Sequence, residues 1–272
     1  MKELIRKNLP TVFSVCKKIY QKSFLHKIKD KKEKLRYDEW QKKRLSEDLI
    51  ILKEVFNDDC IVFNGPFKGM LYIKQSSGSA FLPKILGSYE EPIHEWIEKA
   101  IGKKYKTIID VGCAEGYYTV GFAMRLPTSK VVAFDIDNEA LKNAIELIKL
   151  NGLENVQLRK ECTYHELNEL CTERSLVFCD IEGFEKILLN PLKVPNLKYA
   201  DLIIECHDFL IENVTADLIS RFVNSHKITI IIDYCTRIKD YETPTKVDKV
   251  LFDRIANEYR QPATKFMLLE CF

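Results

Sequence analysis

The chain has 272 residues, of which 46% are hydrophobic and 30% charged, so it can build a packed core, and global disorder is excluded. No apolar run approaches the ~18 residues of a membrane-spanning helix. The nine cysteines include no Cys-x-x-Cys pair, which disfavours a zinc ribbon or a disulfide framework and predicts a reducing, cytoplasmic setting. Residues 1–45 carry 15 Lys+Arg and 5 Asp+Glu, and the rest carries 27 and 35. A basic leader therefore precedes an acidic body, to which no nucleic acid is expected to bind.

Residues 1–58 are predicted to form a basic helical extension. Apolar side chains recur every few positions between residues 5 and 28, and lysines fill much of the remaining surface. This stripe predicts a face that packs on the body of the protein or on another subunit. The alternative is that residues 1–30 form a basic amphipathic helix on an anionic membrane, which would make the protein membrane-peripheral.

Two further regions follow this extension. Residues 59–90 contain two β-rich runs around Gly65, Pro66 and Gly69, which predict a small β-hairpin followed by a loop. Over residues 91–272, helical windows alternate with short apolar runs typical of parallel strands that are covered on both faces. This alternation predicts an α/β domain with a Rossmann-like, doubly wound, mostly parallel seven-stranded sheet. Ligands of such sheets bind at the carboxyl ends of the strands.

A glycine-bearing turn follows the first strand of this domain, in the sequence Asp110-Val-Gly112-Cys-Ala-Glu-Gly116. Its Gly-x-x-x-Gly spacing fits neither the dinucleotide fingerprint nor a phosphate loop. Asp110 can accept hydrogen bonds from a cationic amine. The next strand ends at Asp135, whose carboxylate can bind both hydroxyls of a ribose, and the apolar Ile136 beside it can pack on an adenine. Alternatively, these acids cap the helices that follow them.

These two motifs resemble those of the class I, Rossmann-like S-adenosylmethionine-dependent methyltransferases, over about residues 91–272. The resemblance implies that the glycine loop lies against the methionine part of the cofactor and that the strand-two acid holds the ribose. It also implies that the loop after the third strand frames the adenine. The residues assigned to the cofactor in this way are Asp110, Gly112, Cys113, Glu115, Gly116, Tyr117, Asp135, Ile136, Glu161, Cys162 and Asp180.

A second motif, Asp180-Ile-Glu182-Gly-Phe-Glu185, follows the fourth strand. Together with the glycine-loop sequence it resembles FkbM-like methyltransferases, many of which O-methylate sugars or natural products. The resemblance places Asp180 where the transferable methyl group is presented and implies a hydroxyl acceptor. The Asn/Asp-Pro-Pro-aromatic motif of many N-methyltransferases does not occur near Asp180. Methylation of a base or an amide is disfavoured by the same analogy.

The fifth strand ends in Glu205-Cys-His207-Asp208. One interpretation is that these side chains satisfy loop backbone groups and cap the next helix. A second makes His207 the proton acceptor, because a neutral imidazole titrating near pH ~6.5 is a competent base. The catalytic candidates are then His207, Asp180, Glu182 and Glu205. A third is a divalent metal such as Mg²⁺ on Asp180, Glu205 and Asp208, although no ligand spacing is diagnostic and no metal is expected.

The sequence therefore predicts an S-adenosylmethionine-dependent methyltransferase that O-methylates a hydroxyl of a sugar, a surface glycan or a glycosylated natural product, as in polysaccharide biosynthesis. The alternatives are a protein or RNA methyltransferase, and a non-catalytic module that only binds the cofactor. The intact glycine loop, Asp135 and Asp180 argue against the non-catalytic module.

Overall fold

The computed structural model describes residues 31–234, 237, 239–260 and 263–272. The membrane or subunit contact predicted for residues 1–30 lies outside these residues. The chain divides into two compact units, Met1–Glu47 and Asp48–Phe272. The predicted boundaries at residues 58 and 90 thus both fall within the second unit. No helix in the described part of the chain is both long enough and apolar enough to cross a membrane.

The elements alternate along the chain in the predicted order. The helices are α1 Lys31–Phe56, α2 Phe81–Leu86, α3 His94–Lys103, α4 Tyr117–Arg125, α5 Asn138–Leu150, α6 Tyr164–Leu170, α7 Glu185–Leu188, α8 Val214–Phe222 and α9 Lys249–Ile255. The strands are β1 Thr107–Val111, β2 Lys130–Phe134, β3 Val156–Arg159, β4 Ser175–Cys179, β5 Ala200–Cys206, β6 His226–Asp233 and β7 Thr264–Cys271. Short 3₁₀ turns cover Glu91–Ile93 and Pro195–Tyr199.

The strands form one seven-stranded sheet in the order β3-β2-β1-β4-β5-β7-β6. The pairs among β1 to β5 are parallel, and β7 runs antiparallel to both β5 and β6. The predicted Rossmann-like, mostly parallel sheet is confirmed. The strand order reverses between β1 and β4, so these two strands flank the switch point where ligands of such sheets bind. The carboxyl ends of β1, β2, β4 and β5 share this edge.

Burial of the central strands accounts for their apolar sequences. Every residue of β4 and of β5 is buried, because helices cover both faces of the sheet. The helices begin at recognisable signals in the sequence. Asp137 caps α5 by accepting a hydrogen bond from the Glu139 N–H at 2.9 Å, and Thr163 and Glu166 form a capping box at α6.

The hairpin predicted within residues 59–90 is smaller than expected. Its two segments share one isolated antiparallel bridge, between Ile61 and Leu71. The ladder does not extend further, because the Met70 N–H donates within the turn and not to the opposite segment. The Phe63 N–H points away from the opposite segment and donates to the Ile85 carbonyl at 2.8 Å. The segment is thereby tied to α2, which precedes the sheet.

Candidate functional site

The glycine loop and the end of β4 touch at the switch point of the sheet. Gly112 and Gly116 both have positive φ angles, of 88° and 96°. A Cβ on Gly112 would lie 1.7 Å from the Asp180 carbonyl oxygen, so no larger residue fits between the loop and β4. The Asp180 N–H also donates to the Val111 carbonyl at 3.0 Å. The two sequence motifs that suggested a cofactor are therefore neighbours in space.

Asp135 lies at the tip of β2 and closes the other side of the glycine loop. Its two carboxylate oxygens accept one backbone hydrogen bond each, from Ala114 N and Asp137 N, both at 2.8 Å. The cap of α5 is Asp137 and not Asp135, so the capping alternative is wrong for Asp135. Each carboxylate oxygen retains a lone pair for a ligand hydroxyl. The adjacent Ile136 is 62% exposed, which leaves an apolar surface beside the carboxylate.

Buried carboxyl groups line the inner end of the loop. Asp110 is almost fully buried and accepts a hydrogen bond from the Thr119 hydroxyl. Burial raises the pKa of Asp110 to about 7, and the charge of Asp135 adds to the rise although Thr119 opposes it. Glu90, just before α3, is also buried, and its pKa is raised by burial and by the charge of Glu205. Sequence reasoning missed Glu90. Glu90 is a non-glycine residue with a positive φ of 53°, a signal that the structure contains and the sequence does not.

Glu115 is the clearest correction within the glycine loop. Its side chain is fully buried and faces the preceding segment, where Lys84 pairs with it and the Tyr72 hydroxyl donates to it at 2.6 Å. Ser76 Oγ and the Ser77 N–H donate to it as well, both at 3.0 Å. Burial acts to raise the pKa of Glu115, but Lys84 outweighs it and holds the pKa below the usual range. The predicted contact of this carboxylate with the cofactor is thus replaced by a structural ion pair.

The other predicted cofactor contacts differ in accessibility. Cys113 and Tyr117 are 5% and 4% exposed. The Tyr117 ring packs edge-on against Tyr89, with their centroids 5.4 Å apart, so it belongs to the aromatic core. Glu161 and Cys162 follow β3 on the same edge of the sheet as Asp135, where Glu161 is exposed and Cys162 half-buried. These two remain predictions for the adenine side of the site.

His207 lies between three carboxyl groups at the ends of β4 and β5. Its Nδ1 is 3.0 Å from Glu185 Oε1, and its Nε2 is 3.4 Å from Asp180 Oδ1 and 3.8 Å from Glu205 Oε1. The His207 side chain is 4% exposed and that of Asp180 is 33% exposed. Asp180, Glu205 and His207 are thus brought together as predicted. Glu185 was not among the predicted site residues, although it is the last acid of the Asp-x-Glu-Gly-x-Glu motif.

The carboxyl groups decide the charge of His207. Burial lowers the pKa of the imidazole, but the hydrogen bond to Glu185 and the charges of Asp180, Glu185 and Glu205 raise it further, to about 10. The carboxyl groups therefore favour the imidazolium form of His207, whereas the sequence predicted a neutral imidazole. Burial and the charge of Glu205 raise the pKa of Asp180 well above its ordinary value, and His207 opposes that rise.

The alternative of a metal on Asp180, Glu205 and Asp208 is not supported by the position of Asp208. The Asp208 carboxylate accepts hydrogen bonds from the Thr215 N–H and from Lys265 Nζ, both at 3.0 Å, and so holds the first turn of α8. The structural interpretation is confirmed for Asp208. The donors that lie within 4.8 Å of one another are instead Asp180, Glu185 and His207, and their contacts through His207 already account for this closeness.

Glu205 and Glu182 have separate surroundings. Glu205 accepts a hydrogen bond at 2.7 Å from Arg260 Nη1, a residue 55 positions further along the chain. Arg260 also donates to Glu258 at 2.7 Å and to Tyr89 at 2.8 Å, and it pairs with Glu90. Glu182 is exposed and adopts a positive φ of 54° in the turn after β4. Sequence spacing contained no signal for Arg260.

The fold is a Rossmann-like domain with a glycine loop at the switch point of its sheet. The family model described as a methyltransferase domain matches residues 102–263, more than half of the 272 residues. The chain belongs to this family. The finer resemblance to FkbM-like enzymes remains a prediction.

Individual relatives are similar over part of their length. The chain is 34% identical over 91 residues to a ribosomal protein L11 methyltransferase of Caldanaerobacter subterraneus subsp. tengcongensis, covering 34% of this chain and 28% of that protein. It is 25% identical over 137 residues to a tRNA/tmRNA (uracil-C(5))-methyltransferase of Pseudomonas fluorescens, covering 49% and 37%. The chain thus spans less than two fifths of the length of these curated relatives.

Among solved structures, the O-methyltransferase TomG of Streptomyces achromogenes, in complex with S-adenosylmethionine, is similar in fold. Its TM-score is 0.46 at 12% identity, covering 64% of this chain and 77% of that one. An O-methyltransferase of Bacillus cereus in complex with S-adenosylhomocysteine gives 0.43 at 13% identity, with the same coverages.

The donor set of the edge site fits S-adenosylmethionine. Asp135 offers two acceptors for a ribose, and Ile136 an apolar surface for a base. Asp110, Glu90 and Asp180 are carboxyl groups whose pKa values are raised mainly by burial. Such carboxyl groups are stabilised in their charged form by a nearby cation, and S-adenosylmethionine carries both an ammonium and a sulfonium.

Proposed function

We propose that the protein is an S-adenosylmethionine-dependent methyltransferase that transfers the methyl group to a hydroxyl of a sugar or glycan. The observation that carries the proposal is the meeting of the Gly112 loop, Asp135 and the Asp180–His207 pair at the carboxyl edge of β1, β2, β4 and β5. S-adenosylmethionine supplies a methyl group that is already activated on a sulfonium sulfur. The protein then has to exclude water, align the acceptor oxygen and take up one proton.

Each of these tasks has a candidate residue. Asp135 holds the ribose, and Asp110 and Glu90 face the methionine end. Asp180 lies at the mouth of the site, 33% exposed, where it can accept a hydrogen bond from the acceptor hydroxyl. His207 Nε2, next to Asp180, is the site of proton uptake. A positioned base contributes roughly 10²–10⁴-fold to the rate.

The surroundings of His207 favour a neutral, polar acceptor. Asp180, Glu182 and Glu205 make this edge acidic, which disfavours phosphate-rich or carboxylate-rich acceptors. Phe209 is 54% exposed, and its ring centroid is 5.5 Å from that of His207. An exposed aromatic ring beside hydrogen-bonding groups suits the apolar face of a sugar ring.

A second candidate acceptor is RNA or protein, because the curated relatives include a tRNA/tmRNA methyltransferase and a ribosomal protein methyltransferase. The acidic edge argues against RNA here, since phosphate contacts require Lys and Arg. We therefore propose no nucleic acid partner, and the assay that identifies the acceptor also tests whether RNA is methylated. A divalent metal such as Mg²⁺ is likewise not part of the proposal, and adding a chelator to that assay tests it.

The acceptor is tested with S-adenosylmethionine labelled in the methyl group and a panel of simple glycosides, lipid-linked and polymeric glycans, bulk tRNA and ribosomal protein. We expect label in a glycoside or glycan and none in tRNA or protein. Asp135→Ala should lose transfer at limiting cofactor, whereas the matched Asp137→Ala should not. Transfer to tRNA or protein alone would overturn the acceptor class. Absence of S-adenosylmethionine binding by the folded protein would overturn the whole proposal.

A further inference from the structure

The carboxyl groups around His207 oppose its use as a base, because they stabilise its protonated form. A base must be free of its proton, yet three carboxyl groups hold His207 in the charged form. Glu185 fixes the ring, because its Oε1 accepts from Nδ1 at 3.0 Å and from the Ile181 N–H at 2.8 Å. Glu185 is fully buried, and its Oε2 has no hydrogen-bond partner among the described residues. The Nδ1 proton is thus hydrogen-bonded to Glu185, and the proton that the imidazolium can lose is the one on Nε2, which faces Asp180.

Among the residues that the structure describes, the acidic groups around this imidazole come from three places in the fold. Asp180 and Glu182 lie after β4, Glu185 on α7 and Glu205 on β5. Behind Glu205, Arg260 pairs with Glu205 and with Glu90. Arg260 also pairs with Glu258, which continues the ion pairs to Arg237 and from there to Asp233. Arg260 thus balances Glu205 from behind, and the mobile positive charge next to Asp180 is the proton of His207.

We propose that His207 loses its Nε2 proton to solvent when a sulfonium is bound beside Asp180, and that the neutral Nε2 then accepts the proton of the acceptor hydroxyl. Glu185 acts as a positioning residue. Because it binds the Nδ1–H, it holds the ring in the orientation in which Nε2 faces Asp180. The inference rests on the proposed function, which presents the methyl group next to Asp180. The partly exposed Asp180 carboxylate is the route by which the proton leaves.

The charges balance through one turnover. Before transfer, the positive charge is on the sulfonium and His207 is neutral. The carbon–sulfur bond breaks, its electron pair stays on sulfur, and the acceptor oxygen bonds to the methyl carbon while its proton moves to Nε2. After transfer, sulfur is neutral and His207 is an imidazolium. The carboxyl groups of the site therefore face one positive charge before and after the step. His207 has regained its resting, charged form by the time the products leave.

The test compares S-adenosylmethionine with S-adenosylhomocysteine, which differ in the sulfonium charge. We expect calorimetry at pH ~7.5, in buffers of different ionisation enthalpy, to show about one more proton released on binding S-adenosylmethionine. By linkage, the ratio of the two affinities should then favour S-adenosylmethionine about tenfold more per unit rise in pH. A proton released from Asp110 next to the methionine ammonium would occur with both ligands and cancels in the difference.

Variants locate the proton. His207→Asn should abolish the difference between the two ligands, whereas the matched control His165→Asn, an exposed histidine, should keep it. Histidine-selective nitrogen NMR of the wild type gives a readout that does not depend on the variant's folding. The His207 ring should shift from the charged to the neutral form with S-adenosylmethionine and stay charged with S-adenosylhomocysteine.

The outcomes separate the two proposals. Equal proton release for both ligands, or a difference that survives in His207→Asn, would overturn the role of His207 while leaving the methyltransferase proposal intact. Failure of both ligands to bind would overturn the proposed function instead.

Discussion

The buried Lys84–Glu115 pair offers a sharp test of how the segment before the sheet supports the glycine loop. The two side chains are 3% and 0% exposed, and Lys84 Nζ also donates to Ser79 Oγ at 2.6 Å. Lys84→Met removes the cation but leaves Glu115 buried among the Tyr72 and Ser76 hydroxyls. Breaking a buried ion pair in this way costs roughly 3–5 kcal/mol of unfolding free energy, because the remaining charge is uncompensated.

The measurement is equilibrium unfolding in urea, followed by circular dichroism. The Lys74–Asp58 pair is a matched control, since it is also a close contact, at 2.6 Å, but its side chains are 45% and 55% exposed. Lys74→Met should cost ~0–1 kcal/mol. The double variant Lys84→Met/Glu115→Gln should recover much of the loss, because no unpaired charge remains. Equal losses in Lys84→Met and Lys74→Met would refute the reasoning.

The same pair contributes to the loss of stability in acid. The pKa of Glu115 in the folded protein lies below its ordinary value, because Lys84 outweighs the effect of burial. The contribution of Glu115 is therefore fully present above the unfolded pKa of ~4.3 and is lost as the pH falls through the folded value. Glu115→Gln should weaken this loss between pH ~5 and pH ~3, as measured by thermal melts over that range.

Three further predictions concern the cofactor loop. Asp135→Ala removes hydrogen bonds to a charged acceptor, which are worth roughly 1.5–3 kcal/mol. The calorimetric Kd for S-adenosylmethionine should therefore rise about ten- to a hundredfold. An unchanged Kd in a folded variant would show that Asp135 does not bind the cofactor. Asp137→Ala should cost ~1 kcal/mol of stability through the lost cap of α5 and leave that Kd unchanged. Gly112→Ala should abolish cofactor binding, because the added Cβ would lie 1.7 Å from the Asp180 carbonyl oxygen. The control Gly152→Ala, which also has a positive φ but nothing within 4 Å of the added Cβ, should retain binding.

The sequence alone determined the sheet and the place of its ligand edge. Apolar runs such as Ala200–Cys206 and the amphipathic windows between them are local patterns, and each strand or helix follows from its own residues. The glycine loop and the acids at 110, 135 and 180 follow strands directly, so the parallel order of the sheet is enough to bring them to one edge. The extent of the hairpin was not determined in this way, because the Met70 N–H finds its partner within the turn and not on the opposite segment.

The tertiary structure decided the charges of the site. His207 and Glu185 are 22 positions apart, and Glu205 and Arg260 are 55 apart, yet folding brings each pair to a hydrogen-bond distance, 3.0 Å and 2.7 Å. The contact with Glu185 raises the pKa of the imidazole. Glu115 was assigned to the cofactor from its place in the loop, but Lys84 of the preceding segment turns its side chain away. A pKa depends on burial and on charges from every element that packs around the group. Those contacts are long-range, and residue spacing along the chain does not encode them.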